Sequence, residues 1–225
     1  QVKDYIKEVI DMYGNPSSIH TKGRKLKDLL EKSRQRVAFL INCHPKNIIF
    51  TSGATEANNL ALNGYKKKIV SAIEHESIKK QKNTILIDVN KKGYIDLVML
   101  ENVLQSINNK NEIIVSVMFA NNETGIIQPI DKVREITKKF GIVFHSDAVQ
   151  AVGRIDISFK QLGIDMMTLS SHKIGGPLGA GALVLASKKN MQPLFYGGQQ
   201  EESLRSGTEP LLCIAGFGEA ARSTN

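Results

Sequence analysis

The chain has 225 residues, 41% of them hydrophobic, with 30 Lys and Arg against 22 Asp and Glu for a formal net charge of +8. That length suits one substantial α/β core or two small domains, and no apolar run is long enough to span a membrane. The positive charge lies in short runs such as Lys66-Lys67-Lys68, Lys91-Lys92 and Lys138-Lys139; a nucleic-acid groove gathers basic residues on one face with stacking aromatics, so no nucleic-acid partner is expected.

Two widely separated cysteines, Cys43 and Cys213, fit a reducing, cytoplasmic setting without a disulfide framework. The opening Gln1-Val2-Lys3-Asp4-Tyr5 has no signal-peptide hydrophobic segment. Lys22 to Leu40 carries Leu26, Leu29, Leu30, Val37 and Leu40 at helical spacing. Ile48 to Thr51 reads as a short strand, then a small-residue turn, then a helix from Glu56 to Tyr65. Backbone N–H groups and the Thr55 hydroxyl at that helix start form a natural phosphate cradle, and a plain N-cap at Thr55 is compatible with the same role. Ile69 to Ile73 and Thr84 to Val89 are strands, and His75 follows the first. Leu97 to Gln105 is helical with Asp96 as N-cap. Asn108-Asn109-Lys110-Asn111 is a polar turn before the buried strand Ile113 to Met118. Asp131 to Phe140 is a helix ending at Gly141. Ile142 to His145, Met166 to Leu169 and Ala182 to Leu185 complete the strands, and the residues around Cys213 read as a buried helix. No internal repeat or linker interrupts the chain.

Strands alternating with helices predict an α/β fold of three layers, a mostly parallel sheet with helices on both faces. Ligands in such sheets sit at the carboxyl ends of the strands, and Thr55, Asp147 and Lys173 all fall just after predicted strands. Lys173 lies in Ser170-Ser171-His172-Lys173-Ile174-Gly175-Gly176-Pro177, between a strand and a glycine-rich turn. An amine there, with Ser170 and His172 beside it to hold an anion, is the pattern of a lysine that takes the aldehyde of pyridoxal phosphate; the plain alternative is a surface lysine in a turn. Asp147, at a strand end, can keep a pyridinium nitrogen protonated, or can simply cap the next helix. The glycines from Gly175 to Gly181 do not open a βαβ unit, so they are not a dinucleotide site.

Taken together in order and spacing, several blocks closely resemble a cysteine desulfurase of the NifS/IscS type, in the class V aminotransferase group of fold-type I pyridoxal phosphate enzymes. They are Tyr13-Gly14-Asn15-Pro16-Ser17-Ser18, Thr51-Ser52-Gly53-Ala54-Thr55-Glu56, Glu74-His75, Ala120-Asn121-Asn122-Glu123-Thr124-Gly125, His145-Ser146-Asp147-Ala148-Val149-Gln150, Ser170-Ser171-His172-Lys173 and Arg205-Ser206-Gly207-Thr208. The resemblance implies pyridoxal 5'-phosphate as cofactor, with Lys173 and His75 catalytic and no metal. It implies that Ala54, Thr55, Ser170, Ser171 and His172 hold the phosphate end. His75 stacks on the ring, Asp147 meets its nitrogen, and Asn122 and Gln150 bond the phenolic oxygen or the substrate. Thr208 matches a residue that reaches the neighbouring subunit's phosphate, which implies a homodimer with shared sites. The implied reaction takes sulfur from L-cysteine, leaves alanine and an enzyme persulfide, and passes the sulfur to an acceptor protein for iron–sulfur or thio-cofactor synthesis.

The match also carries departures. Residues 1–20 are expected to be an N-terminal helix and lead-in, and 21–225 the cofactor-binding large domain. The small domain, the persulfide cysteine and the substrate-carboxylate arginine are expected beyond Asn225. Neither Cys43, in a helix-to-strand turn, nor Cys213 is a good substitute for that cysteine. The alternatives are a related class V enzyme, such as a selenocysteine lyase or an aminotransferase, and a non-catalytic scaffold retaining the core.

Overall fold

A computed structural model describes residues 1–189 and 191–224. The helices are α1 (Val2–Val9), α2 (Thr21–Leu40), α3 (Ala54–Leu62), α4 (Glu76–Lys79), α5 (Leu97–Ser106), α6 (Ile130–Lys139), α7 (Phe159–Leu162) and α8 (Leu211–Thr224). The strands are β1 (Ile48–Thr51), β2 (Lys67–Ser71), β3 (Thr84–Ile87), β4 (Ile113–Ser116), β5 (Val143–Asp147), β6 (Met166–Ser170) and β7 (Gly181–Leu185). They form one sheet in the order β1-β7-β6-β5-β4-β2-β3. The pairs β2–β3, β2–β4, β4–β5 and β5–β6 are parallel, and β7 runs antiparallel to both of its neighbours.

The strand sequences explain the three layers. They are nearly continuous apolar runs, as a sheet covered on both faces requires, and successive side chains point to opposite faces. Phe50, Ile69, Val115, Phe144, Met167 and Val184 meet the apolar stripes of α2, α5, α6 and α8. Their neighbours Ile49, Val70, Ile114, Met166, Leu183 and Leu185 meet Ala57, Leu60, Ala61 and Leu62 of α3 and Ile78 of α4. The lead-in is packed too: Val9 of α1 contacts Leu29 and Ala215.

Local chemistry sets the element ends. Asp96 caps α5, its Oδ1 accepting from Val98 and Met99 N–H at 3.0 and 2.9 Å. The third helix begins two residues before the predicted start, because Gly53 and not Thr55 is its N-cap. It stops at Leu62 because Asn63 turns to an extended backbone and Gly64 adopts φ 84°. The fourth strand ends at Ser116, two residues short of expectation: the Met118 N–H is taken by the Glu74 side chain instead of a neighbouring strand.

The sheet also buries one titratable base. His145 is fully enclosed, with Nδ1 2.8 Å from Ser116 Oγ and Nε2 2.9 Å from Thr168 Oγ1. Burial lowers its pKa from 6.5 to about 3. Between those limits the unfolded chain binds a proton that the folded chain does not. The stabilising contribution is therefore complete above pH 6.5 and is lost as pH falls toward 3, at most about 1.4 kcal/mol per pH unit. Two buried carboxyls described below act in the opposite sense, so the histidine must be isolated by a variant. The urea midpoint of the chain should fall between pH 6.5 and pH 5 more steeply than that of His145→Gln; equal slopes would contradict the assignment.

Candidate active site

Three strand ends meet at one edge of the sheet. Gly181 opens β7 and pairs with Thr51 of β1 on one side and Ser170 of β6 on the other. This brings the turn that starts α3 against the end of β6. The approach is close: a Cβ on Gly181 would lie 2.6 and 2.7 Å from Gly53 C and Cα and 2.9 Å from Leu169 O. Gly53 contributes no side-chain cap, so the first-turn amides of α3, around Ala54 and Thr55, have no protein acceptor from the cap position. Thr55 is exposed and Ala54 half-buried. Across the seam, Ser170 Oγ lies 2.9 Å from His172 Nδ1. Ser171 is oriented differently. Its Oγ is buried without a hydrogen-bond partner among the described residues, and the missing Cβ of Gly176 leaves room for it.

Asp147 ends β5, beside β6 in the register Asp147 to Thr168. Its carboxylate is buried and receives Asn58 Nδ2 at 2.8 Å on Oδ2 and the Val149 N–H at 3.0 Å on Oδ1. It caps a turn, and no helix begins there. Burial holds its pKa above the usual 3.8, and the Asn58 amide, the Val149 N–H and the nearby His75 offset only part of that rise. Glu74 is also buried. Its Oε1 accepts from Met118 N–H, while Oε2 has no partner among the described residues. Burial, reinforced by the Asp147 charge, pushes its pKa well above 4.5. Of the two acids, Asp147 has two strong donors and Glu74 one, so burial raises Glu74 further.

His75 is exposed at the N-cap of α4, with Nδ1 2.8 Å from Ser77 Oγ and 3.2 Å from the Ser77 N–H. Ser77 Oγ in turn receives Asn58 Nδ2 at 3.0 Å. His75 and Asp147 are thus joined through Asn58 and Ser77. Lys173 is exposed in a 3-10 turn, Ser171–Ile174, which Gly175 ends at φ 83°. Asn122 is exposed, Gln150 half-buried and Thr208 exposed. Asn122 is presented by the turn that Asn121 builds: Asn121 Oδ1 accepts from Glu123 and Thr124 N–H, and its Nδ2 donates to Ile73 O at 3.2 Å. Arg205 Nε bonds Glu56 Oε1 at 3.0 Å, which ties the Thr208 segment to the first turn of α3.

Sequence reasoning missed Asn58 and Ser77 and assigned no role to Glu74. For Asn58 the available signal was a polar side chain on the apolar face formed by Ala57, Leu60 and Ala61. For Ser77 there was none, because a serine two residues after a histidine is an ordinary helix start.

A parallel sheet with one reversed strand, a lysine after one strand and a buried aspartate at the end of its neighbour agree with a class V aminotransferase fold. The family model described as aminotransferase class-V matches residues 1–225, and the chain belongs to that family. Among curated relatives, "Cysteine desulfurase IscS" of Ehrlichia chaffeensis is 43% identical over 93% of this chain and 55% of its own length. The IscS of Dictyoglomus turgidum is 37% identical over 97% and 58%. "Cysteine desulfurase, mitochondrial" of Saccharomyces cerevisiae is 42% identical over 94% and 46%. The chain therefore spans about half the length of these relatives. Among solved structures, a NifS-like protein from Rickettsia africae superposes with a TM-score of 0.95 at 42% identity, covering 99% of this chain and 64% of that one.

Two outcomes follow from this geometry. Gly181→Ala forces a methyl group into the Gly53 backbone, so it should cost about 1–3 kcal/mol in chemical denaturation; a neutral effect would mean the seam is looser than described. Glu74→Gln keeps an acceptor for Met118 N–H but cannot ionise. A raised carboxyl pKa gives stability that is full below pH 4.5 and lost as pH rises. Urea midpoints of Glu74→Gln should decline less than those of the parent chain between pH 5 and 8. A matching decline would show that Glu74 is not the buried acid.

Proposed function

We propose that this chain is the cofactor-binding part of a pyridoxal phosphate-dependent cysteine desulfurase, which takes sulfur from L-cysteine and hands it to an acceptor protein for iron–sulfur or thio-cofactor synthesis. The observation that carries the reading is Asp147, a carboxylate buried at the end of one strand, with Lys173 just past the end of the next.

The residues fit the cofactor. Asp147 uses only one lone pair on each oxygen for Asn58 and Val149, which leaves acceptor capacity for a pyridinium N–H. The α3 amides without a cap, with Thr55, Ser170 and His172 nearby, suit a phosphate dianion. Bound pyridoxal phosphate supplies an electron sink for a carbanion at the substrate Cα. Lys173 would provide the amine for the cofactor aldehyde and a base for the substrate Cα proton. His75 would lie against the ring and assist proton transfer. Asp147 would keep the ring nitrogen protonated, and Asn122 and Gln150 would orient the phenolic oxygen or substrate. Thr208 serves the neighbouring subunit's phosphate in a homodimer, and Ala54 and Ser171 complete the backbone and wall of the phosphate end.

Neither Cys43 nor Cys213 suits the role of sulfur nucleophile. Burial pushes the Cys43 thiol up to about 12, so little thiolate forms at neutral pH. Cys213 sits half-buried in α8. Both cysteines are free, which fits a reducing, cytoplasmic setting. No helix among the described residues is long and apolar enough to cross a membrane. A selenocysteine lyase or an aminotransferase would use the same lysine and aspartate, but the relatives named cysteine desulfurase favour the first reading. A scaffold would need neither.

Borohydride treatment of the chain mixed with pyridoxal phosphate, followed by peptide mapping, should place the label on Lys173; a label on another lysine would overturn the assignment. In the whole enzyme, His75→Ala should lower kcat by about 10²- to 10⁴-fold. Turnover near the parent rate would remove His75 from proton transfer.

A further inference from the structure

Asn58 is fully buried in the interior of α3, and its amide nitrogen serves two acceptors. One N–H reaches Asp147 Oδ2 at 2.8 Å and the other Ser77 Oγ at 3.0 Å. Ser77 Oγ then lies 2.8 Å from His75 Nδ1. The direction of this chain is fixed at both ends. An amide NH₂ can only donate, so Ser77 Oγ accepts from Asn58. The Ser77 backbone N–H, 3.2 Å from Nδ1, can also only donate. Nδ1 must therefore be an acceptor, the Ser77 hydroxyl proton points to it, and the proton of the neutral ring resides on Nε2. The arrangement carries a cost. Asn58 Oδ1 is buried with no partner among the described residues, a loss of about 1–3 kcal/mol. A residue present only to fill space on that helix face would be better apolar.

We propose that Asn58 is a positioning residue that sets Asp147 and His75 relative to each other, holding the first directly and the second through Ser77. Resting on the cofactor reading above, this gives one buried side chain control of both groups that would grip the ring, the one at its nitrogen and the one on its face. Because α3 also begins at the proposed phosphate cradle, the same helix would locate both ends of the cofactor. The ionisable groups acting on Asp147 are His75 and the buried Glu74, and both remain in the variants below.

The test uses the cofactor-free 225-residue chain, so it stands whether or not the desulfurase reading does. The ¹⁵N resonances of His75 report its tautomer and the bonding at Nδ1, and the ¹³Cγ titration of Asp147 reports its donors. In the parent chain Nε2 should be protonated and Nδ1 should show the upfield shift of a hydrogen-bonded acceptor. Asn58→Leu should move the Asp147 midpoint upward, because a donor to the carboxylate is lost, while Asp165 stays in place as a control. It should also shift His75 Nδ1, which Asn58 does not touch. That second effect should disappear in a Ser77→Ala background and survive in Ser77→Thr, which keeps a hydroxyl. If Asn58→Leu does not fold, the Ser77→Ala and Ser77→Thr pair carries the test. A weakened Nδ1 shift in the first, where only the Ser77 backbone N–H remains, and its recovery in the second are expected, and no change in either would overturn the proposal. An unmoved Asp147 midpoint in folded Asn58→Leu would overturn it too, as would a His75 response that persists without the Ser77 hydroxyl.

Discussion

A carboxylate almost wholly withdrawn from bulk water is the constraint on which the site depends. Asp147 sits at the end of a parallel strand, where burial alone would favour its neutral form. Two donors oppose that pull, a backbone N–H from its own turn and the amide of Asn58 from the helix across the sheet face. A second buried acid, Glu74, stands close enough to feel the charge and has fewer donors. Burial therefore raises Glu74 further than Asp147. When ionised, an aspartate held in this way is a strong acceptor for a ring N–H, because few other partners compete for it.

The fold supplies this arrangement through register. The reversed strand β7 lies between β1 and β6 and brings the Gly53 turn and Ser170 to the same level. Gly181 is what allows the contact, since any side chain there would strike the Gly53 backbone. The amide-rich start of α3, the Ser170–His172 pair and the lysine turn then share one sheet edge. Asp147 comes from the next parallel strand, which would let one edge serve as both the proposed phosphate cradle and the proposed ring site.

Much of this was legible in the sequence. Runs such as Ile48-Ile49-Phe50-Thr51 are apolar without alternation, so a doubly covered sheet followed from pattern alone, and β1 matches its expected limits. The placement of Thr55 and Lys173 just past strands also followed, while Asp147, expected just past one, is the last residue of β5. What could not be read was the reversal of β7, since a buried strand carries no mark of direction. Three strand ends were overrun, at Ile73, Val89 and Met118; at Ile73 and Met118 side chains claim the backbone donors that would have extended the ladder. Asn58 and Ser77 escaped notice for a similar reason. Their roles exist only once α3 and the start of α4 meet over β5, a contact between residues 19 and 89 positions apart.

The account turns on Asp147 being ionised and facing a ring nitrogen. The most direct measurement is the ¹⁵N chemical shift of pyridoxal phosphate labelled at the pyridine nitrogen and bound to the chain at neutral pH. A pyridinium shift that reverts to the neutral pyridine value in Asp147→Asn is the predicted result. A neutral pyridine shift in the parent chain, or a pyridinium that survives Asp147→Asn, would contradict it.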